Sequence, residues 1–263
     1  MQSPVFEQLR AMCAAQRAGY WVLIDPDKWE FKQLAGIATA AGESGADAIL
    51  IGGSLLLTSN FDEVVQTIRA AAKVPCLIFP GSALQISRYA DAILFLSLVS
   101  GQNPSYLIGE QIKAAPLIKH LGLEAIPTGY MLIESGRVTS AEFMSHTRPI
   151  PRDKNDIAKA TALAAEYLGM KLIYLEAGSG AQHPVPLEMI RAVASYVHVP
   201  VIAGGGIRTP DWAEQCVEAG ASFVVTGNIL ERSGGMPARH SPPTDFNLMR
   251  SFAEAIHNAS RPF

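Results

Sequence analysis

Two hydrophobic signatures alternate along this chain. The first is a short, mostly apolar run: Tyr20–Ile24, Ala48–Ile51, Cys76–Phe79, Ala92–Leu98, Glu124–Ile133, Leu172–Leu175, Val199–Ala203 and Phe223–Thr226. Runs of this kind predict strands covered on both faces, as in a parallel sheet. The second is helical spacing, over Phe31–Ser44, Phe61–Ala72, Asn103–Leu121, Asp156–Leu168, Pro186–Tyr196, Pro210–Ala219 and Phe246–His257. Helix-end chemistry supports several of these. Asp62 and Glu63 suit the first turn of one helix dipole, and Pro210 opens another helix that stops before Gly220. Ahead of the first strand, Phe6, Leu9, Met12 and Cys13 mark a helix over Phe6–Ala18, placed to cap the bottom of a barrel. Eight strands alternating with helices predict a parallel (β/α)8 barrel.

The alternation breaks once. Only Ser82–Ala90 separates the third strand from the fourth, and a crossover helix needs a dozen or more residues. The third helix is therefore expected to be shortened or replaced by an irregular segment, which makes this a modified TIM barrel. The fifth strand runs on into a hairpin-like stretch at Ser135-Gly136-Arg137. Ser140–Asp153, with Pro149 and Pro151, reads as an irregular lid or active-site loop, and Ser233–Thr244 reads as a mobile loop.

Length and composition narrow the class. A chain of 263 residues matches one barrel, so a single domain over 1–263 is expected. With 49% hydrophobic and 17% charged residues it can bury a full core. The net charge of -3, without a basic stripe, argues against nucleic-acid binding. Cys13, Cys76 and Cys216 lack C-x-x-C spacing and read as buried thiols in a reducing compartment. Met1–Arg17 has no apolar signal core, and no run approaches the ~18 apolar residues of a membrane span. A cytoplasmic location is expected, with transient contact to a membrane surface if the substrate is a lipid.

Candidate chemistry gathers at strand ends. Glu176 ends the sixth strand and is followed by Ala177, Gly178, Ser179 and Gly180. It reads as a base beside anion donors, or as one half of a loop ion pair. Gly204-Gly205-Gly206 and Gly227-Asn228 end strands seven and eight, the usual place of a barrel phosphate site. Asp25-Pro26-Asp27-Lys28 follows strand one and Ser54 follows strand two. These can hold a hydrated Mg2+ with a polyphosphate, or serve as a plain Asp-Pro turn and a helix cap. Tyr130, ending strand five, either orients substrate or packs at the rim. His120, His146 and His183 lack metal-ligand spacing and read as surface residues. Phe79, Tyr89, Phe95 and Tyr106 form either an apolar groove near strands three and four or ordinary core.

Taken together, Asp25-Pro-Asp-Lys28, Ile51-Gly-Gly-Ser54, Tyr130, Tyr174-Leu-Glu-Ala-Gly-Ser-Gly180, Gly204-Gly-Gly-Ile207 and Thr226-Gly-Asn228 resemble the geranylgeranylglyceryl phosphate synthase family, in its larger, archaeal-type branch. The resemblance implies a prenyltransferase of ether-lipid biosynthesis. Such an enzyme joins a prenyl diphosphate, of geranylgeranyl length, to sn-glycerol 1-phosphate. It implies Mg2+ on Asp25 and Ser54. Tyr174, Leu175, Glu176, Ala177, Gly178, Ser179, Gly180, Gly205, Gly206, Gly227 and Asn228 would hold glycerol phosphate, with Glu176 and Tyr130 catalytic. It also implies a homo-oligomer, a dimer or larger. Some members carry a lysine two residues before the first aspartate; here that residue is Leu23. Two other readings share the phosphate site: a phosphosugar isomerase or aldolase-like barrel, and a barrel that only binds a phosphorylated ligand.

Overall fold

A computed structural model describes residues 3–227 and 246–262. Its eight strands are all parallel and close into a barrel in sequence order, the first pairing with the last. They are β1 (Gly19–Ile24), β2 (Ala48–Ile51), β3 (Cys76–Ile78), β4 (Ala92–Leu98), β5 (Glu124–Leu132), β6 (Leu172–Glu176), β7 (Val201–Gly204) and β8 (Phe223–Thr226). The helices are α1 (Pro4–Ala14), α2 (Phe31–Glu43), α3 (Phe61–Ala71), α4 (Glu110–Leu121), α5 (Ser140–Ser145), α6 (Asn155–Tyr167), α7 (Leu187–Ala194), α8 (Pro210–Glu218) and α9 (Phe246–Asn258).

Strand alternation sorts the core into two layers. Trp21, Leu50, Leu77, Leu94, Ile126, Tyr174, Ile202, Phe223 and Val225 fill the barrel interior. Their neighbours, such as Val22, Ile49, Ile78, Ile173 and Ala203, face the helices. The same parity carries upward. Asp25, Phe79, Tyr130, Glu176, Gly204 and Gly227 all continue interior rows, so they converge on the carboxyl rim.

The bottom is closed by α1, whose Val5, Phe6 and Leu9 pack into the interior layer. The buried Glu124 carboxylate accepts hydrogen bonds from the Val5 and Phe6 N–H groups at 2.9 and 3.0 Å. It thus satisfies two donors that a helix start leaves open.

No helix forms between β3 and β4. Residues 79–91 are turns, tied down by the buried Gln85 side chain. Gln85 Nε2 donates to the Gly53 carbonyl at 2.9 Å, and its Oε1 accepts from Gly81 N–H at 3.1 Å. One amide thereby fastens the β2 and β3 turns together where a helix would otherwise pack.

Two segments differ from expectation. Ser140–Asp153 is not wholly irregular: α5 forms because the Thr139 hydroxyl caps it, accepting from Glu142 N–H. The helix expected over Asn103–Leu121 begins as a wide turn of π type at Ser105–Gly109 and becomes α-helical at Glu110. Asn103, Pro104 and Gly109 favour a loosened start. The three cysteines are free, and Cys76 and Cys216 are buried. Cys13 is only partly covered, because α1 lies across the barrel end rather than inside a helix layer. Among the described residues no helix is long and apolar enough to cross a membrane. The Ser233–Thr244 loop lies outside the described residues.

Candidate active site

The carboxyl rim encloses a cavity of about 1050 Å3. Asp25, Ser54, Tyr130, Tyr174, Glu176, Gly178, Ser179, Gly180, Gly205, Gly206 and Gly227 all line it, so residues spread over two hundred positions meet in one place. Leu175 and Ala177 do not: alternation turns their side chains into the outer core layer. Asn228 lies outside the described residues.

Glu176 sits at the centre. It is buried, and its Oε1 accepts a hydrogen bond from Gly178 N–H at 2.6 Å. Burial pushes its carboxyl up to about 7; the Gly178 N–H and then the Tyr174 hydroxyl pull it partway back. A carboxylate with that affinity for protons exchanges them near neutral pH, as a general base must. The Tyr174 hydroxyl is fully buried and makes no hydrogen bond of good geometry, yet lies close enough to Glu176 to perturb it. Burial holds both the Tyr130 and Tyr174 phenols well above their usual range, and the nearby Glu176 charge adds to it. Both are donors, not phenolates.

Three rings frame this carboxylate. Phe79 stacks on Tyr174 with centroids 5.3 Å apart, and Tyr130 meets both rings edge-on at 5.8 and 5.4 Å.

The glycine turns of β6 and β7 lie on one side. Gly205 has φ +80, and a Cβ there would overlap Glu176 Oε1 and come within 2.5 Å of Gly178 N. Only glycine permits this conformation and this approach. Behind the turns, Arg208 Nη2 donates to the Ala181 carbonyl at 2.7 Å, and Arg152 Nη2 donates to the Pro184 carbonyl at 3.2 Å.

Asp25 lies on the opposite side against the β2 turn: a Cβ on Gly53 would stand 2.9 Å from Asp25 Oδ2. Its partner in sequence, Asp27, also lines the cavity and accepts from Leu57 and Thr58 N–H at 2.7 and 2.9 Å. Both carboxylates of the Asp25-Pro-Asp-Lys loop therefore line the cavity, Asp27 while holding residues 57–58 and Asp25 while accepting from Asp27 N–H at 3.1 Å. Among the described residues no three His, Cys, Asp or Glu side chains cluster as a metal cage. One carboxylate with the Ser54 hydroxyl fits a cation that keeps much of its water, as Mg2+ does.

A second, apolar groove opens from the cavity. It runs beneath residues 80–86, between β4 and α4, and is lined by Ile86, Ile93, Phe95, Ala114, Ile118 and Met144 among others. Gly53, Ser54, Phe79 and Tyr130 line both spaces and form their junction. Of the four aromatic groove candidates, Phe79, Phe95 and Tyr106 line it, while Tyr89 is exposed outside it. The groove lies along β4 and α4 and reaches the turns after β2 and β3, because the absent helix uncovers that flank. His120, His146 and His183 are exposed.

Sequence reasoning missed Arg137 and Arg208, which line the cavity, and Gln85, which fastens the turns beside it. Arg208 had a signal, a cation two residues after Gly206. Gln85 had none, since its role is set by two turns remote in sequence.

Residues 13–240 match the sequence profile of the PcrB family. Geranylgeranylglyceryl phosphate synthase of Chitinophaga pinensis is 44% identical over 239 residues, covering 91% of this chain and 90% of that protein. The enzyme of the same name from Korarchaeum cryptofilum is 44% identical, covering 84% of this chain and 90% of its own. The crystal structure of (S)-3-O-geranylgeranylglyceryl phosphate synthase from Thermoplasma acidophilum, in complex with sn-glycerol-1-phosphate, superposes with a TM-score of 0.89 at 35% identity, covering 98% of this chain and 100% of that one.

Proposed function

The chain belongs to the PcrB family, and on that premise we propose that it is a prenyltransferase that joins a prenyl diphosphate to sn-glycerol 1-phosphate. The products are geranylgeranylglyceryl phosphate and diphosphate, in ether-lipid biosynthesis. The observation that carries this reading is the junction: Gly53, Ser54, Phe79 and Tyr130 line both the polar cavity and the apolar groove. A prenyl diphosphate is an amphiphile with that division. A phosphosugar isomerase or aldolase has no use for the groove, and a barrel that only binds a phosphorylated ligand has no use for a buried carboxylate that titrates near 7.

The chemistry follows from where charge sits. The phosphate of glycerol phosphate lies against the N–H groups of Ser179, Gly180, Gly205 and Gly206, with Gly227 completing the ring, while the Gly178 N–H stays on Glu176. Its free hydroxyl faces Glu176. As the C1–O bond of the prenyl diphosphate breaks, cationic character develops on C1, at the junction between the Phe79 and Tyr130 rings. The glycerol oxygen forms the new bond to C1 and its proton passes to Glu176. Diphosphate leaves with the bonding pair. Asp25 and Ser54 would hold Mg2+, which when bound supplies positive charge to the departing diphosphate. Tyr174 and Tyr130, neutral donors, orient the acceptor.

The same reading includes a cytoplasmic homo-oligomer, a dimer or larger, that meets a membrane surface transiently to release its lipid product. Sedimentation and vesicle co-flotation test those two points. The central test is incubation with labelled sn-glycerol 1-phosphate, a prenyl diphosphate and Mg2+, followed by lipid extraction. Label that stays in the aqueous phase under all chain lengths rules the reading out.

A further inference from the structure

Backbone amides give the phosphate end of the cavity dipoles but no full charge. The described cavity wall carries three cations, Lys28, Arg137 and Arg208, and Arg208 is the one tied by a hydrogen bond to the turn after Gly180. Arg208 follows the Gly204–Gly206 turn, lines the cavity, and donates from Nη2 to the carbonyl of Ala181 at 2.7 Å. Ala181 belongs to the turn that continues Gly178–Gly180. The two glycine turns touch there: a Cβ on Gly206 would sit 3.2 Å from Ala181 Cβ. The guanidinium therefore stands at the seam between both turns, with one of its five donors engaged on Ala181.

We propose that Arg208 is a phosphate-binding residue of this cavity, and that it makes the site select a phosphomonoester dianion over an uncharged polyol. The inference rests on the proposed binding of glycerol phosphate at the glycine turns. A guanidinium matches phosphate geometry with paired donors, and a charged hydrogen bond is about twice as strong as a neutral one. The anchor at Ala181 limits the side chain's freedom before ligand arrives, which lowers the ordering cost of binding.

Loop tethering alone is a separate role, and the structure contains its own control. Arg152 holds the same 181–185 segment by donating to Pro184 and to Glu134 carbonyls, but it does not line the cavity. The experiment compares wild type, Arg208→Gln, Arg208→Lys and Arg152→Gln by calorimetric titration with sn-glycerol 1-phosphate and with glycerol, at two ionic strengths. Arg208→Gln should weaken glycerol phosphate binding by about tenfold or more, flatten its dependence on salt, and leave the KM for prenyl diphosphate unchanged. Arg208→Lys, keeping charge but losing the fork, should fall between. Arg152→Gln should bind like wild type. If Arg208→Gln binds glycerol phosphate as tightly as wild type, the inference is overturned. It is also overturned if Arg152→Gln loses as much as Arg208→Gln, since tethering then explains both. If wild type itself fails to bind glycerol phosphate, the proposed function falls, and this inference with it.

Discussion

Gly205 and Glu176 occupy each other's space so closely that no side chain fits between them: a Cβ on Gly205 would overlap Glu176 Oε1. The glycine proposed to approach the phosphate is also the one that leaves room for the Glu176 carboxylate. Gly205→Ala should therefore abolish turnover and glycerol phosphate binding together, rather than binding alone. The left-handed backbone at φ +80 adds roughly 1–2 kcal/mol of strain. Calorimetry and thermal melting check this; normal affinity in a folded variant would place the phosphate elsewhere.

Glu176→Gln should lower turnover by about 10²–10⁴ while glycerol phosphate still binds. Because burial raises the Glu176 carboxyl to about 7, wild-type turnover should fall as pH drops through about 7, as the base is protonated. A pH–rate profile without that limb, or a variant retaining a third or more of wild-type turnover, would remove Glu176 from the role of base.

The same carboxyl makes a stability prediction of opposite flavour. Its proton affinity is higher in the fold (about 7) than the ordinary 4.5. The fold is thus favoured below 4.5, loses that advantage between the two values, and bears the full cost above 7. That cost is on the order of 3 kcal/mol. Glu176→Gln should be more thermally stable than wild type at pH 8 and indistinguishable from it at pH 4.5, read by melting temperature across the series.

Asp25→Ala should raise the Mg2+ concentration needed for half-maximal turnover and the KM for prenyl diphosphate. Glycerol phosphate affinity should be spared, because Asp25 lies against Gly53, across the cavity from Gly205. An unchanged metal titration would remove Asp25 from the metal site.

From its junction with the cavity at Ser54, Phe79 and Tyr130 the groove reaches Ile93 and Ile118, low on β4 and α4. Wild type should prefer geranylgeranyl over farnesyl diphosphate, since each buried methylene adds roughly 0.8 kcal/mol, and should use the heptaprenyl substrate poorly. Ala114→Phe, which fills the lower half, should reverse the first preference. Relative turnover with the three diphosphates decides; a heptaprenyl preference in wild type would overturn the chain-length assignment.

The barrel was legible in the sequence because each strand is a short apolar run and each helix carries its own period and caps. Parity alone then sends Tyr174 and Glu176 inward and Leu175 outward. The missing third helix was equally legible, since Ser82–Ala90 is too short for a crossover. Even the site's residue types stood out, being carboxylate and glycines at strand ends where core packing has no need of them.

What the sequence could not supply was contact between segments far apart along the chain. That Asp27 holds the Leu57 and Thr58 N–H groups, that Gln85 fastens two turns, and that Arg208 reaches Ala181 depends on where loops land once the barrel closes. The shift of Glu176 to about 7 is likewise a property of burial, and burial belongs to the closed fold. Local pattern records what a residue prefers beside its neighbours; only tertiary packing decides which distant groups remove water from it and which donors reach it.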